Sequence, residues 1–173
     1  MYYGNIKKCD IADGVGVRVS LFVSGCRHHC KGCFQPETWD FNFGKEFTQE
    51  TEAALFKALE PDYIDGLTLL GGEPFEPENQ TVLYPFLKRL REQLPNKTVW
   101  CYSGYTFEEL CGSGHPVTDV TVCMLELIDI LVDGEFVQEL KNISLKFRGS
   151  SNQRILDVKK SLETNSVVLH ETK

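Results

Sequence analysis

The sequence predicts an α/β fold with mainly parallel strands, arranged as a partial, open β/α barrel. The chain has 173 residues, of which 42% are hydrophobic, enough apolar material to close a core. Segments with strand and helix patterns alternate along it, and such alternation favours parallel strands joined by right-handed crossovers. A complete eight-fold barrel needs about 250 residues. A barrel of the present length must therefore be truncated.

The first half of the chain contains two predicted strands separated by a helix. The first strand covers Arg18 to Ser24, a stretch rich in β-branched and aromatic residues that ends at Gly25. Thr48 supplies a capping hydroxyl for a helix with apolar residues at helical spacing, and Pro61 stops that helix. The short apolar run from Ile64 to Leu70 predicts the second strand, which leads into two glycines.

The second half continues the same alternation. A longer helical pattern is followed by a third strand, two shorter helical stretches and a fourth strand. These elements fall at about residues 80–94 (helix), 98–102 (strand), 107–110 and within 117–125 (helices), and 128–132 (strand). The remaining segment, residues 144–169, is weakly patterned.

Charge and organisation indicate one domain spanning residues 1–173. The chain contains no internal repeat, low-complexity block or long linker. Its formal net charge is -7, which argues against non-specific binding of nucleic acid or anionic membranes. Residues 141–173, in contrast, hold 7 basic and 3 acidic side chains. This basic C-terminal region is either a partner surface or a solvated face.

Several features favour a cytoplasmic protein. No stretch approaches the roughly 18 apolar residues of a membrane span, and the first eight residues lack the apolar core of a signal peptide. The chain has seven cysteines, an odd number that fits a disulfide framework poorly. Four of them are scattered, and we interpret these as ordinary thiols: Cys9, Cys101, Cys111 and Cys123.

The other three cysteines, Cys26, Cys30 and Cys33, lie together on the loop after the first strand. Structural zinc usually takes four protein ligands, often as two pairs, and no second pair follows. His28 or His29 could complete a zinc site only in a strained loop. A four-iron cluster bound by three cysteines keeps one iron open for a substrate. A non-catalytic iron-sulfur carrier and a zinc-stabilised binding module remain alternatives to an enzyme.

The unusual motifs all follow predicted strands. They are the cysteine loop, Gly71-Gly72-Glu73-Pro74 after the second strand, Ser103-Gly104-Tyr105 after the third and Asp133-Gly134 after the fourth. In folds of this class ligands gather at the carboxyl ends of the parallel strands. The sequence therefore predicts one shared site at this edge.

The spacing Cys-x-x-x-Cys-x-x-Cys after a first strand, together with Gly71-Gly72-Glu73-Pro74, resembles the signature of the radical S-adenosylmethionine enzymes. The chain is identified as a member of that superfamily, whose fold is a partial barrel of the radical SAM type. The resemblance implies a 4Fe-4S cluster on Cys26, Cys30 and Cys33, with S-adenosyl-L-methionine on the open iron. It also implies that Gly71 and Gly72 approach the methionine end of that cofactor and that Glu73 lies near its amino group.

Further stretches resemble the activating proteins of anaerobic ribonucleoside-triphosphate reductase. They are residues 13–18, 21–26, 30–34, 37–39, 100–105, 131–134 and 148–154. The resemblance implies cleavage of S-adenosylmethionine to a 5′-deoxyadenosyl radical that abstracts hydrogen from a glycine of the reductase large subunit. A low-potential donor such as a flavodoxin would supply the electron, and no catalytic side chain is implied beyond the cluster and cofactor. An activase of another glycyl-radical enzyme, of the formate-lyase type, is the alternative within the superfamily.

The remaining cofactor contacts are expected around the adenosine. The superfamily often has an aromatic residue just before the third cysteine to contact adenine, whereas here that position is Gly32 and the aromatic residue is Phe34. Gly32, Cys33 and Phe34 are therefore all assigned to cofactor binding. Ser103 and Asp133, at strand ends, are expected near the ribose.

Other polar residues are expected to support this site. Asp13 and Arg18 are candidates for an ion pair that positions the cysteine loop, and Asn152 and Arg154 for contacts with the cofactor or the partner. His28 could tune the cluster. Because so short a chain has little left to roof the site, the partner protein is expected to cover it, with the basic region against an acidic surface.

Overall fold

A mixed seven-stranded sheet organises the protein in the computed structural model, which describes residues 1–171. The strands are β1 (Tyr2–Asp10), β2 (Arg18–Val23), β3 (Lys45–Glu46), β4 (Gly66–Gly71), β5 (Thr98–Tyr102), β6 (Ile130–Asp133) and β7 (Arg154–Asp157). Their order across the sheet is β3-β1-β2-β4-β5-β6-β7. The predicted α/β class is therefore confirmed.

The centre of the sheet is parallel and its edges are antiparallel. β2, β4, β5 and β6 run parallel to one another, as the alternating pattern predicts. β1 pairs antiparallel with β2 and with β3, and β7 pairs antiparallel with β6. The sheet is thus open, with β3 and β7 at its edges, and less uniformly parallel than predicted. The sequence pattern missed β1 because most of its side chains are exposed or half-buried, so it has no apolar run.

Within residues 1–171, five helices connect or cover the strands. They are α1 (Gln49–Leu59), α2 (Pro77–Gln93), α3 (Phe107–Leu110), α4 (Thr121–Leu125) and α5 (Val158–Thr164), with short 3₁₀ turns at Pro36–Trp39 and Gln138–Leu140. Thr48 caps α1 by accepting a hydrogen bond from the Thr51 amide, as its hydroxyl predicts. No helix within residues 1–171 combines the length and the apolar character needed to cross a bilayer.

The differences from the predicted boundaries have local causes. α2 begins earlier than predicted because Pro77 occupies its first turn, where the missing N–H costs nothing. β7 and α5 lie within the weakly patterned segment of residues 144–169, and each is short. β5 and α3 have the predicted bounds.

The core lies on both faces of the central strands. Every residue of β2 is buried, and Leu67 and Leu69 of β4 are fully enclosed. Leu55 from α1 and Leu83 and Phe86 from α2 belong to the same buried cluster. Parallel strands that are covered on both faces have short continuous apolar runs rather than alternating polar and apolar residues. These runs allowed the strands to be predicted from the sequence.

Arg18 joins the amino ends of three central strands from inside this core. Its side chain is 2% exposed, and burial lowers its pKa to about 10. The guanidinium donates hydrogen bonds to Thr68 Oγ1 at 2.7 Å, to the Leu67 carbonyl at 2.8 Å and to the Thr98 carbonyl at 3.0 Å. Oxygen acceptors from β4 and β5 thus replace the water that the cation lost.

The expected ion pair between Asp13 and Arg18 is wrong. The carboxylate of Asp13 lies 3.8 Å from the amine of Lys7. Asp13 is linked to the arginine only indirectly, because Thr68 Oγ1 accepts from Arg18 and donates to the Asp13 carbonyl oxygen at 2.8 Å. Arg18 therefore holds the backbone of the loop before β2 and does not neutralise its acid.

Replacing Arg18 with Met should lower the free energy of unfolding by about 2 to 4 kcal/mol, because several buried acceptors would lose their donor. Urea unfolding followed by circular dichroism measures this change. Arg89→Met is the control: it removes a surface pair with Glu52 and should cost less than about 1 kcal/mol. Equal stability of the two variants would contradict the role given to Arg18.

Candidate metal and cofactor site

The loops that follow β2, β4, β5 and β6 surround one cavity of about 500 Å³. It lies at the carboxyl edge of the parallel strands, where the sequence predicts a shared site. Eight of the ten predicted site residues line it: Cys26, Cys30, Cys33, Phe34, Gly71, Gly72, Glu73 and Ser103. The fold thus gathers residues from positions 26 to 103 around a single space.

The three clustered cysteines share this cavity. Cys26 is buried, whereas Cys30 and Cys33 are half-buried and belong to one turn, in which the Cys33 amide donates to the Cys30 carbonyl at 3.1 Å. Burial, reinforced by the charge of Glu73, raises the pKa of the Cys26 thiol to about 12. Burial also raises the pKa of Cys30, with a contribution from Glu135. Metal binding here must therefore displace protons.

The donor set suits a multinuclear cluster. Within residues 1–171, no group of three or more His, Cys, Asp or Glu side chains converges as ligands of a single ion. The three thiols instead line a common cavity large enough to hold more than one metal ion. Thiolates are the usual protein ligands of iron-sulfur clusters, and three of them leave a fourth position for a small ligand.

Gly71 and Gly72 allow the end of β4 to pack against the loop after β2. Gly71 has a φ of +104°, and a Cβ there would lie 2.7 Å from the Val23 carbonyl oxygen. A Cβ on Gly72 would lie equally close to the carbonyl oxygen of Gly25. The amides of Gly72 and Glu73 donate to these same two carbonyls. The close approach that requires glycine is thus one between two backbone segments in the cavity wall.

Glu73 connects three of the loops around the cavity. Its side chain is 1% exposed, and protein donors occupy both carboxylate oxygens. Oε1 accepts from the Phe75 amide and from Ser103 Oγ, both at 2.9 Å. Oε2 accepts from the Gly104 amide at 2.7 Å and lies 3.1 Å from His28 Nε2. The hydroxyl of Ser103 is therefore also engaged within the protein.

His28 lies between two carboxylates. Its Nε2 faces Glu73, and its Nδ1 is 2.7 Å from Glu135 Oε1. Burial alone would lower the pKa of His28, but the two acids raise it to about 9. The imidazolium form therefore predominates at neutral pH. Its ring packs at 4.2 Å from that of Tyr105, and a side chain on Gly104 would collide with it.

Gly32 and Asp133 do not line the cavity. A side chain at Gly32 would collide with Gln138. Asp133 is fully buried and accepts from the Phe107 amide at 2.8 Å and from Arg154 Nε at 2.9 Å. The expected contact of Asp133 with a ribose therefore has no geometric support: the Asp-Gly turn ends β6, but its acid points to an ion pair.

Asn152 and Arg154 were expected to contact the cofactor or the partner, but their side chains contact other residues of the protein. Asn152 donates to the carbonyl of Glu135 at 2.9 Å. Arg154 binds Asp133 and also Glu108, at 2.7 Å from Glu108 Oε2. These two side chains hold the segment between β6 and β7 in place.

Two polar side chains of this segment that line the cavity, Arg148 and Gln153, were not among the predicted site residues. Arg148 Nη1 donates to the Gln153 carbonyl at 2.9 Å, while its buried Nε has no partner. Gln153 Oε1 accepts from the Gly149 amide at 2.8 Å, and its Nε2 donates to the Gly134 carbonyl at 3.0 Å. Residues 148–154 resemble the corresponding stretch of the family, so the sequence indicated that this region is important. The resemblance does not show which of its side chains point into the cavity.

Comparisons with known proteins agree with this site. Residues 12–156 match a family model described as a 4Fe-4S single cluster domain. The anaerobic ribonucleoside-triphosphate reductase-activating protein of Pasteurella multocida is 41% identical over 157 residues, 90% of this chain and 96% of the relative. The protein of that name from Escherichia coli K12 is also 41% identical, over 88% of this chain and 96% of the relative. The one from Enterobacteria phage T4 is 37% identical, over 90% and 93%.

These matches cover nearly the whole length of each relative and include the three-cysteine loop and every strand of the parallel centre. The resemblance drawn from the motifs is thereby confirmed. The chain belongs to the family of the anaerobic ribonucleoside-triphosphate reductase-activating proteins.

Proposed function

We propose that this chain is a radical S-adenosylmethionine enzyme that generates the glycyl radical of an anaerobic ribonucleoside-triphosphate reductase. One observation carries the proposal: the three-cysteine loop and the Gly71-Gly72-Glu73 turn face the same cavity. Family membership supports the choice of target, since the relatives are named for activating that reductase. Activases of other glycyl-radical enzymes have no such support here.

The thiolates of Cys26, Cys30 and Cys33 would hold a 4Fe-4S cluster in this cavity. When bound, the cluster and S-adenosylmethionine would supply reductive cleavage to methionine and a 5′-deoxyadenosyl radical, which takes hydrogen from a glycine of the large subunit. The backbone of Gly71 and Gly72 and the ring of Phe34 would border the cofactor. Their positions in the cavity lining support these assignments.

Four further residues would prepare the cavity. Glu73 fixes the loops after β2, β4 and β5 through its four hydrogen-bond donors, so its role is to position them. Arg148 lines the cavity and has a buried guanidinium nitrogen without a hydrogen-bond partner, and its positive charge would suit a carboxylate. Gly32 and Asp133 lie outside the cavity lining and would support it indirectly. Gly32 allows close packing against Gln138, and Asp133 forms an ion pair with Arg154.

The wider assignments follow the same proposal. The parallel strands β2, β4, β5 and β6, with the site at their carboxyl ends, would correspond to a partial barrel of the radical SAM type within a single domain. The protein would work in the cytoplasm, where a low-potential donor such as a flavodoxin supplies the electron.

One experiment separates this function from its alternatives. The protein is reconstituted anaerobically, reduced with dithionite and given S-adenosylmethionine, and the release of 5′-deoxyadenosine and methionine is measured. An activase cleaves the cofactor, slowly in the absence of the reductase. An electron carrier or a zinc module leaves the cofactor intact, and that result would overturn the proposal.

Replacing Cys26, Cys30 or Cys33 with Ala should abolish both cluster incorporation and cofactor cleavage, because each would remove one of three ligands. Iron analysis should give about four irons per chain for the wild type and a near-complete loss for each variant. Cys9→Ala and Cys111→Ala, which change exposed thiols away from the cavity, are the controls and should retain the iron. Full cleavage activity in Cys30→Ala would refute the ligand assignment.

Air should destroy the cluster without unfolding the protein. An iron that is open to a small ligand is also open to oxidants, whereas the core around Leu21, Leu69 and Phe86 is apolar and independent of metal. Visible absorbance should bleach while far-ultraviolet circular dichroism changes little. Wholesale unfolding on loss of metal would instead indicate a structural metal site.

Glu73→Gln should lower the free energy of unfolding of the metal-free protein by about 1 to 3 kcal/mol, because an amide cannot accept from every donor that now surrounds the carboxylate. Urea unfolding again provides the measurement. Glu135→Gln serves as a matched control: Glu135 also faces His28, but its side chain is 56% exposed, and the loss should stay below about 1 kcal/mol. Comparable losses would show that burial of Glu73 does not matter.

A further inference from the structure

A hairpin between β6 and β7 forms one rim of the cavity and carries exposed apolar side chains outside it. In this rim hairpin, residues 134–153, Leu140 is 43% exposed and Ile143 is 92% exposed. Phe34, 65% exposed, packs against the base of the hairpin through Phe136, with ring centroids 5.1 Å apart. Single exposed apolar residues are common. Three on adjoining segments beside a cavity mouth are typical of an interaction surface.

Within the described part of the basic region, residues 141–171, the lysines that pair with no acid lie on the same hairpin. Lys159 and Lys160 pair with Asp129 and Asp157, and Arg154 pairs with two acids. Within residues 1–171, by contrast, Lys141 and Lys146 have no carboxylate within 4.0 Å. Lys141 Nζ lies 5.1 Å from the ring centroid of Phe34. The charge available to a partner is therefore concentrated at the cavity mouth.

The hairpin holds this surface in a defined shape. The Asn142 amide donates to the Gly149 carbonyl, and the Ser151 amide donates to the Leu140 carbonyl. At its base, the Val137 amide donates to Ser150 Oγ at 3.1 Å. Such cross-links reduce the conformational entropy that a loop loses when it binds.

The same hairpin forms the cavity wall with its inner side chains. Phe136, Leu145 and Phe147 line the cavity, whereas Ile143 at the turn points to solvent. A polypeptide bound to the outside of the hairpin would therefore lie beside the cavity opening.

We infer that Leu140, Lys141, Ile143 and Lys146, with the edge of Phe34, form the docking surface for the protein substrate. Its occupant is a segment of the reductase large subunit that carries apolar and acidic side chains near the reacting glycine. Charge complementarity and continuity with the cavity mouth support this choice. The inference rests on the proposed function and narrows the interaction from the whole basic region to one hairpin.

Two double variants test the surface, Leu140→Ser with Ile143→Ser and Lys141→Gln with Lys146→Gln. None of the four residues lines the cavity. Binding to the purified large subunit is measured by calorimetry at several salt concentrations, and glycyl radical by electron paramagnetic resonance. The serine pair should weaken binding about tenfold or more at every salt concentration. The glutamine pair should weaken it mainly at low salt and flatten the salt dependence.

Matched controls remove similar groups elsewhere. Tyr63→Ser removes a large side chain that is 64% exposed. Tyr63 precedes the amino end of β4, whereas the cavity lies at the carboxyl ends of the parallel strands. Lys159→Gln with Lys160→Gln removes two paired cations. Both controls should bind the large subunit within about twofold of wild type. If they weaken binding as much as the hairpin variants, or if the hairpin variants bind like wild type, the docking surface is wrong.

Iron content and partner-free cleavage of S-adenosylmethionine are measured on every variant. The hairpin variants should match wild type in both, which shows that the cavity is intact. Loss of docking with cleavage retained supports the inference. Absence of cleavage in the wild type itself would instead refute the proposed function, so the two failures are distinguishable.

Discussion

The buried carboxylate of Glu73 is the interaction on which the site depends. A carboxyl group that is 1% exposed is tolerated inside a protein only when hydrogen-bond partners replace the water it has lost. Here those partners come from three separate loops, and each must reach the carboxyl group for it to be satisfied. The requirement brings the cysteine loop, the end of β4 and the end of β5 together. The cavity is the space that remains between them.

The parallel centre of the sheet explains why so short a chain can build this arrangement. Parallel strands direct all their carboxyl ends to one edge, so each crossover returns the chain to the same side. The loops that follow only three strands, β2, β4 and β5, therefore already surround much of the cavity. Arg18 provides the counterpart at the opposite edge, where it joins β4 and β5 through their carbonyl groups. The buried guanidinium of Arg18 joins the amino ends of these strands, and the buried carboxyl group of Glu73 joins the loops at their carboxyl ends.

Local signals were sufficient for much of the fold. The apolar run of β5 and the capping hydroxyl of Thr48 are properties of short segments, and both gave the right element. The three cysteines and the glycine pair were recognisable for the same reason. β1 was not predicted because a strand with mostly polar, exposed side chains is stabilised by pairing with neighbouring strands, and the local sequence does not show that pairing.

Side-chain partners were the least predictable part of the site. Asp133 and Arg18 were assigned from their proximity to motifs, yet their partners are Arg154 and the acceptors of β4 and β5, which are distant in the chain. Arg148 and Gln153 line the cavity because they lie on a hairpin whose path depends on long-range contacts. Motif matching locates a segment. It does not determine which side chains point toward the ligand.

The environment of Cys26 has a consequence for the protein without its metal. A thiol must ionise before it can attack a disulfide or react readily with an oxidant. Burial and the neighbouring Glu73 keep Cys26 in its neutral form, and burial acts in the same direction on Cys30. Two of the three thiols that we propose as cluster ligands are therefore poor nucleophiles when the loop is empty. Burial therefore disfavours mixed-disulfide formation at Cys26 and Cys30 when the loop is empty.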